Sequence, residues 1–358
     1  MSKFLMLDIG AGTMDALYYD TESEIHYKAV VKSPVLNVAE IAKCLQGNLL
    51  ITGCEMGGGP ISHVLKQHAQ EAEVIMSLSS AVTINHDLDK VRSLGIKIVE
   101  DTEAVALSTN KKYIHLDIGD LEVDRLKQIV KGFGVSFSFD TIGICAQDHG
   151  VPPADVSHLD YRHNIFRANL DENPSPHALL YKKNEVPSTF NRLTSIAKNA
   201  TMLPAHDVFV MDSGMAAILG ASMDSQAKHK QRILILDVAT SHTLGAAIEG
   251  EKIDGFFEYH THDITIERLD TLLIDLADGK LKHKQILKEG GHGAYMRKSF
   301  GFQNAEIIVA TGPKRSLLEN SRLPIAFGAP FGDNMMTGAV GLLEAVRRRK
   351  GLKSILYV

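Results

Sequence analysis

Two apolar strands a half-chain apart each run straight into an aspartate and then into a tight turn of small, hydroxyl-bearing residues. The first covers 4–7 and continues Asp8-Ile9-Gly10-Ala11-Gly12-Thr13-Met14-Asp15. The second covers 233–236 and continues Asp237-Val238-Ala239-Thr240-Ser241-His242-Thr243-Leu244. Apolar residues resume after each turn, so both passages read as β-hairpins with hydroxyls at the tip. One such hairpin is a weak signal. Its recurrence points to two related domains and makes the relation between the two turns the central structural question.

Strand-then-helix units fill the space between the hairpins. Residues 48–52 form a strand that leads into Gly53-Cys54-Glu55-Met56-Gly57-Gly58-Gly59-Pro60 and a helix to about 70. Pro60 suits the first helical turn, where a missing N–H costs nothing. Short strands are expected at 73–76 and 97–99, with a helix over 87–94 between them. Another strand, 141–146, ends in Gln147-Asp148-His149-Gly150. The stretch 151–188 holds Pro152, Pro153, Pro174 and Pro176 and shows little periodicity, so it reads as a long surface excursion. Helices follow over 190–199, 216–223, 264–276 and 284–288. A strand at 306–310 runs into Thr311-Gly312-Pro313-Lys314-Arg315 and a helix, and a last helix covers 335–348 with Asp333 or Asn334 as cap. The alternation is α/β, and the hairpins make the sheets mixed.

At 358 residues there is chain enough for two cores, and 44% hydrophobic with 23% charged residues is ordinary for a folded protein. There is no run of eighteen apolar residues, and the N-terminus enters a strand directly, so neither a spanning helix nor a signal peptide is expected. Cys44, Cys54 and Cys145 are odd in number and widely spaced, which fits a reducing, cytoplasmic setting and no disulfide framework. A formal charge of -5 argues against nucleic acid as a partner. The basic run Arg347-Arg348-Arg349-Lys350 falls where the last helix should end, a place that favours cations.

The hairpins supply what a nucleoside triphosphate requires. Phosphates need backbone N–H groups from glycine-permitted turns, together with hydroxyl donors. Gly10, Gly12 and Thr13 suit one phosphate group, and Thr240 and Ser241, beside His242, suit another. Mg²⁺ needs one or two carboxylates, and Asp8 and Asp237 stand at the ends of the two strands. Asp212 follows a third apolar strand, 208–211, and precedes a helix of small residues; a simple helix cap is its rival reading. Thr311 and Gly312 suit a base or ribose. The Gly57-Gly58-Gly59 loop opens a helix and suits either an anion, such as an acidic second substrate, or a close packing contact.

Together these passages resemble the motifs of the actin-like ATPase superfamily, which includes sugar kinases, actin and heat-shock chaperones. Residues 8–20 resemble its first phosphate motif, 211–221 its first connecting segment and 237–247 its second phosphate motif. Residues 307–313 resemble its adenosine motif and 338–344 its second connecting helix, all in the family order. The resemblance implies two ribonuclease-H-like domains with mixed sheets flanking a nucleotide cleft. It divides the chain into 1–215, with the 151–188 excursion, then 216–334, then a C-terminal helical segment 335–358 returning to the interdomain region. It further implies ATP and Mg²⁺ as cofactors, water-mediated metal binding by Asp8 and Asp237, and an Asp212 that orients or deprotonates the nucleophile. The acceptor is then an unidentified small molecule or protein.

More narrowly, the Met56-Gly57-Gly58-Gly59-Pro60, Gln147-Asp148-His149-Gly150, Gly290-Gly291-His292-Gly293-Ala294 and Gly332-Asp333-Asn334-Met335-Met336 blocks are similar to a prokaryotic family labelled "putative pyruvate formate-lyase activating enzyme". A radical activating enzyme needs three closely spaced cysteines for an iron–sulfur cluster, which this chain does not have in sequence. An ATP-driven phosphotransferase, ATPase or activase is therefore the leading reading. Ala239, where the superfamily has glycine, and the single glycine before Pro313 motivate the alternative, a nucleotide- or metabolite-binding switch that does not hydrolyse. Sixteen histidines add further candidates. His149 and His292 are placed for acid–base or ligand contact. His260 and His262, two apart on one strand, share a face on which a metal could be held.

Overall fold

The computed structural model describes residues 2–153 and 155–357. The chain runs β1 (Lys3–Ile9), β2 (Thr13–Asp20), β3 (Ile25–Lys32), α1 (Pro34–Cys44), β4 (Leu49–Gly53), α2 (Gly59–His68), β5 (Val74–Ser77), α3 (Leu78–Ala81), α4 (Leu88–Ser93), β6 (Ile96–Val99), α5 (Asp101–Leu107), β7 (Ile114–Ile118), α6 (Val123–Gly132) and β8 (Phe139–Ala146). It continues α7 (His158–Glu172), β9 (Leu180–Lys182), α8 (Asn191–Asn199), β10 (Ala205–Asp212), α9 (Ser213–Ser222), β11 (Arg232–Val238), β12 (His242–Glu249) and β13 (Lys252–His260). The last elements are α10 (Ile266–Ala277), α11 (His283–Lys288), β14 (Gly293–Met296), β15 (Ile307–Thr311), β16 (Ile325–Phe327) and α12 (Thr337–Arg349).

Two six-stranded sheets carry the same plan. The first has the order β3-β2-β1-β8-β10-β9 and the second β14-β13-β12-β11-β15-β16. In each, three consecutive antiparallel strands begin the sheet and two later strands add in parallel beside the first of them. Without the added edge strands β9 and β14, both sheets read third-second-first-fourth-fifth. This is the ribonuclease-H-like fold, present twice: the mixed α/β architecture of actin-like ATPases.

A third sheet, β6-β5-β4-β7, is parallel throughout and lies between β3 and β8 in sequence. It has its own core around Leu49, Ile51, Ile61, Leu65 and Met76. Its strands are short, and Lys97 in β6 and His115 and Asp117 in β7 break their apolar runs, so the sequence does not betray a separate sheet.

The strands of the second sheet show why one chain can build a three-layer sandwich. Ile233 and Ile235 on β11 join the central core that includes β1, β8 and the two helices α9 and α12. Leu234, Leu236 and Val238 point the other way, into the layer formed by α10 and α11. That is a period of two with both faces buried.

Helices α9 and α12 cross where side chains vanish. A Cβ on Gly220 would strike the carbonyl of Thr337, and one on Gly341 the carbonyl of Ala216, so only glycine admits this approach. Both helices are almost wholly buried. At the far end of α12, Arg347 and Arg348 bind Glu344, Arg349 binds Glu185, and Lys350 binds Asp207. The basic run is thus spent on carboxylates.

Two expectations need correction. The 151–188 stretch is not irregular: α7 is a 15-residue helix, capped by the Ser157 hydroxyl, which buries Arg162, His163, Phe166 and Leu170. Its buried face mixes charged and apolar groups, so apolar periodicity does not show it. The segment after Gly312 forms a single 3-10 turn, Arg315–Leu318, in place of a helix. Among the described residues, no helix is long and apolar enough to cross a membrane.

Candidate functional site

A cleft of about 490 Å³ opens between the two duplicated sheets, lined by both hairpins, the start of α9, the start of α12 and one face of α7. Each hairpin turn is closed by an equivalent backbone bond, from Gly10 N to Thr13 O (2.9 Å) and from Ala239 N to His242 O (3.1 Å). The tips meet. A Cβ on Gly12 would stand 3.2 Å from the Thr240 Oγ1.

Carboxylates gather below the tips. Asp8 ends β1 and lies opposite Asp15 on β2, and residues directly opposite in an antiparallel pair share a face. Asp8 accepts from the Ser213 hydroxyl at 2.8 Å and from the Cys145 thiol at 3.2 Å, yet burial still raises its pKa. Asp237 accepts from Thr311 Oγ1 at 3.2 Å and is pushed up to about 7 by burial and by Asp8. Asp15, 6% exposed, rises to about 8 through burial and the Asp8 charge, against the Thr13 hydroxyl. Its Oδ1 has no hydrogen-bond partner. Three crowded carboxyls, of which Asp8 raises the other two and Asp15 has an oxygen left without a partner among the described residues, form a set that a divalent cation would relieve. Gly338, at the start of α12, leaves room for them: a Cβ there would overlap the Asp8 carboxylate.

A buried ion triad forms the next part of the wall. Arg162 on α7 donates from Nη2 to Asp212 Oδ2 at 3.1 Å and from Nη1 to Glu258 Oε2 on β13, and its Nε donates to the Asp148 carbonyl at 3.2 Å. Gln147 Nε2 also donates to Glu258, at 2.7 Å. The triad therefore joins the first lobe to the second. Burial would raise Glu258, but Arg162 and His292 outweigh it and hold the carboxyl well below its usual range. Asp212 ends raised, because burial exceeds the pull of Arg162. Its Oδ1 caps α9 through Met215 N at 3.1 Å, so the cap reading describes its geometry.

Four imidazoles crowd beside the triad. His242, at the second hairpin tip, faces His260 across the β12–β13 register, and His292 Nε2 lies 3.0 Å from His260 Nε2. His149, just after β8, completes the group from the other lobe, with its ring centroid 6.3 Å from that of His242. Burial pushes His149 down to about 3 and His242 down to about 4, with the Arg162 charge adding to both. Both imidazoles are thus held neutral, with ring nitrogens available as lone-pair donors. His262 stands at the rim of this group, its ring centroid 5.3 Å from that of His260. β13 ends at His260, and His262 turns outward to Asp263 at 3.2 Å with its side chain 76% exposed. The two rings are neighbours at the end of β13, and His242 and His292 close on His260 from the buried side.

Of the residues singled out in the sequence, Asp8, Gly10, Gly12, Thr13, Gly57, Gly58, Gly59, His149, Asp212, Asp237, Thr240, Ser241, His242 and Gly312 all line the one cleft. Thr311 does not. It is fully buried beneath Asp237, its hydroxyl committed there. The triple-glycine loop packs tightly: a Cβ on Gly58 would strike the Thr83 carbonyl, and one on Gly57 would stand 2.6 Å from Val35 Cγ2. Nearby Arg192 is held by both oxygens of Asp120, each at 2.8 Å. Sequence reading missed Asp15, Arg162, Arg192 and Glu258. Only Asp15 left a signal, its place seven residues beyond Asp8 on the far arm of the hairpin.

A family model described as "Putative pyruvate format-lyase activating enzyme (DUF1786)" matches residues 56–317. No curated protein matches the chain in sequence. Among solved structures, the chain is similar to an inorganic polyphosphate/ATP-glucomannokinase from Arthrobacter sp. strain KM, at 11% identity, covering 97% of this chain and 100% of that one, with a TM-score of 0.37. It is similar to a ROK hexokinase from Thermus thermophilus at 14% identity, covering 96% and 98%, with a TM-score of 0.31. A Bacteroides thetaiotaomicron protein with actin-like ATPase fold and unknown function matches at 10% identity over 94% and 95%, with a TM-score of 0.36.

Proposed function

The chain belongs to the family described as putative pyruvate format-lyase activating enzymes, and for this member we propose a Mg²⁺-dependent, ATP-binding protein that spends the nucleotide as a phosphotransferase, ATPase or activase. The observation that carries this reading is the meeting of two equivalent, carboxylate-based hairpins over one cleft. A fold used twice could place its turns anywhere on the surface. Here they converge, and they do so above three carboxyls whose raised pKa values mark an unmet demand for positive charge.

The residues fit the proposed cofactor. Asp8 and Asp237, with Asp15 behind them, would hold Mg²⁺ through its waters. Backbone N–H groups and hydroxyls of Gly10, Gly12, Thr13, Thr240 and Ser241 would cradle phosphates, and Gly312 would border the base or ribose. The bound metal supplies neutralisation of phosphoryl charge. The chain's own contribution is positioning. Asp212, raised by burial, is the candidate to orient an acceptor hydroxyl and take its proton, while the Arg162–Glu258 pair closes the wall and excludes water. Thr311 fixes the Asp237 carboxylate from beneath.

The family's description suggests activation of another enzyme. Cluster-based radical chemistry finds no matching ligand set among the described residues: Cys44 ends α1, Cys54 follows β4, and Cys145 is buried in β8 of another sheet. An ATP-driven activase is the form of that description which this cleft supports.

A screen of nucleotides with and without Mg²⁺ by thermal shift, followed by phosphate release, tests the proposal. Asp8→Ala and Asp237→Ala are expected to abolish Mg²⁺-dependent turnover; an unaffected rate in either rules it out. A second reading, a switch that binds nucleotide without hydrolysis, is favoured by the capture of Asp212 by Arg162 and by Ala239 at the second turn. Calorimetric binding with no released phosphate would select it.

A further inference from the structure

The imidazole cluster is not required by anything in the nucleotide reading. His149, His242 and His292 each offer a ring nitrogen, and these atoms all lie within 4.8 Å of one another. Two of the three rings carry a stranded atom: His242 Nε2 and His292 Nδ1 are buried and have no hydrogen-bond partner among the described residues. Buried polar atoms in folded proteins are nearly always satisfied, so a pair of orphans converging with a third imidazole calls for a ligand.

We propose that His149, His242 and His292 form a binding site for one divalent transition-metal ion of the zinc type, separate from the carboxylate site proposed for Mg²⁺. The donor set makes the distinction. Three imidazoles with no carboxylate or thiolate suit zinc, cobalt or nickel, whereas Mg²⁺ takes hard oxygen ligands and retains waters. The surroundings are those of a built site. His292 is held between two glycines; a Cβ on Gly291 would stand 2.6 Å from Ile286 Cγ2. Its backbone N–H donates to the Glu258 carbonyl at 2.7 Å, and its second ring nitrogen meets His260 at 3.0 Å, which fixes the ring through its outer partner. Glu258 comes within 3.8 Å of His292 Nδ1, but Arg162 and Gln147 occupy it. Glu258 is therefore not offered as a fourth ligand, and a tetrahedral ion held by three imidazoles would complete its shell with water.

The site also spans the lobes. His149 comes from the first and the other two from the second. Imidazole nitrogens sharing one zinc stand about 3.4 Å apart, given metal–nitrogen distances of about 2.0–2.1 Å, a spacing that small ring movements reach from the present 4.8 Å limit.

The test uses the full chain, stripped with chelator and titrated with Co²⁺ and then Zn²⁺ in the absence of nucleotide, so its result is independent of the ATP reading. Wild type should take up one Co²⁺ per chain with the strong visible bands of a low-coordinate ion, displaced by one equivalent of Zn²⁺. His149→Ala, His242→Ala and His292→Ala should each weaken Zn²⁺ uptake by at least about 100-fold, more than outer-shell changes do. His206→Ala, at an exposed imidazole beside Asp140 and away from the cluster, should bind as wild type. Thermal melts of the stripped forms separate lost folding from lost binding, and His149→Ala probes the lobe opposite the other two. No stoichiometric uptake by wild type overturns the proposal, as does uptake unchanged in a folded His242→Ala/His292→Ala variant.

Discussion

Replacing Arg162 by methionine tests the architecture at its most exposed assumption, that the two lobes are joined by a desolvated ion triad. The Arg162 side chain is 8% exposed, and its partners Asp212 and Glu258 are 2% and 7% exposed. Methionine fills the space over the Phe166 ring, where the Arg162 guanidinium lies 4.5 Å from the centroid, but strands both carboxyls. Breaking one partner out of a buried pair costs about 3–5 kcal/mol. Asp212 already lies above its usual range and relieves itself by protonation; Glu258 lies well below its range and bears most of the penalty. The sign with pH follows. A carboxyl depressed in the folded state stabilises above its unfolded pKa, and that stability is lost as pH falls through the folded value. Without Arg162, burial raises Glu258 above its unfolded value, so the difference between wild type and Arg162→Met should be full in mildly alkaline solution and shrink as pH falls, first as the stranded Glu258 takes up its proton and then, below about pH 4.3, as wild type loses the stability of its depressed carboxyl. The chain has no tryptophan, so urea unfolding is best followed by far-UV circular dichroism. Arg162→Met/Glu258→Gln should recover more than half of the loss. A cost under about 1 kcal/mol, or a double variant no better than the single one at neutral pH, would refute the reasoning.

Gly341→Ala sets helix propensity, worth about 1 kcal/mol in favour of alanine, against a collision with the Ala216 carbonyl that backbone cannot swing away from. Overpacking costs about 1–3 kcal/mol and should win, giving a net loss in denaturant unfolding. Gly338→Ala should at least halve the thermal shift produced by Mg²⁺–nucleotide, since the new methyl overlaps the Asp8 carboxylate. His163, buried and stacked on His283 at 3.7 Å, is pushed down to about 4 by burial and by His283. It is neutral when folded and protonates first when unfolded, so stability is whole above about pH 6.5 and lost toward pH 4, by at most about 1.4 kcal/mol per pH unit. His163→Phe should flatten that slope in melts taken across the window.

What could be read from the sequence was local. Asp8 and Asp237 announced themselves because strand, carboxylate and turn are consecutive residues with distinct chemistry, and the passage occurs twice. The triple-glycine loop was equally visible, although its tight fit against Thr83 and Val35 depends on elements far along the chain. Arg162 and Glu258 were invisible for a physical reason. Their pairing spans 96 residues, and each sits in a segment where a charge looks like an ordinary solvated one. The histidine group had the same difficulty: His149, His242 and His292 lie in three unrelated turns, and only the crossing of two lobes brings them together. The inserted parallel sheet escaped because its short strands resemble those of the sheet that hosts it.

The glycine crossing of α9 and α12 has a consequence for how such a chain can change. Where backbone rests on backbone, no smaller residue exists to retreat to, so the separation of the two central helices cannot be adjusted by degrees. New specificity then has to be acquired at the periphery, and the parallel sheet hung between β3 and β8 is an appendage that can grow, shrink or re-face without disturbing the axle.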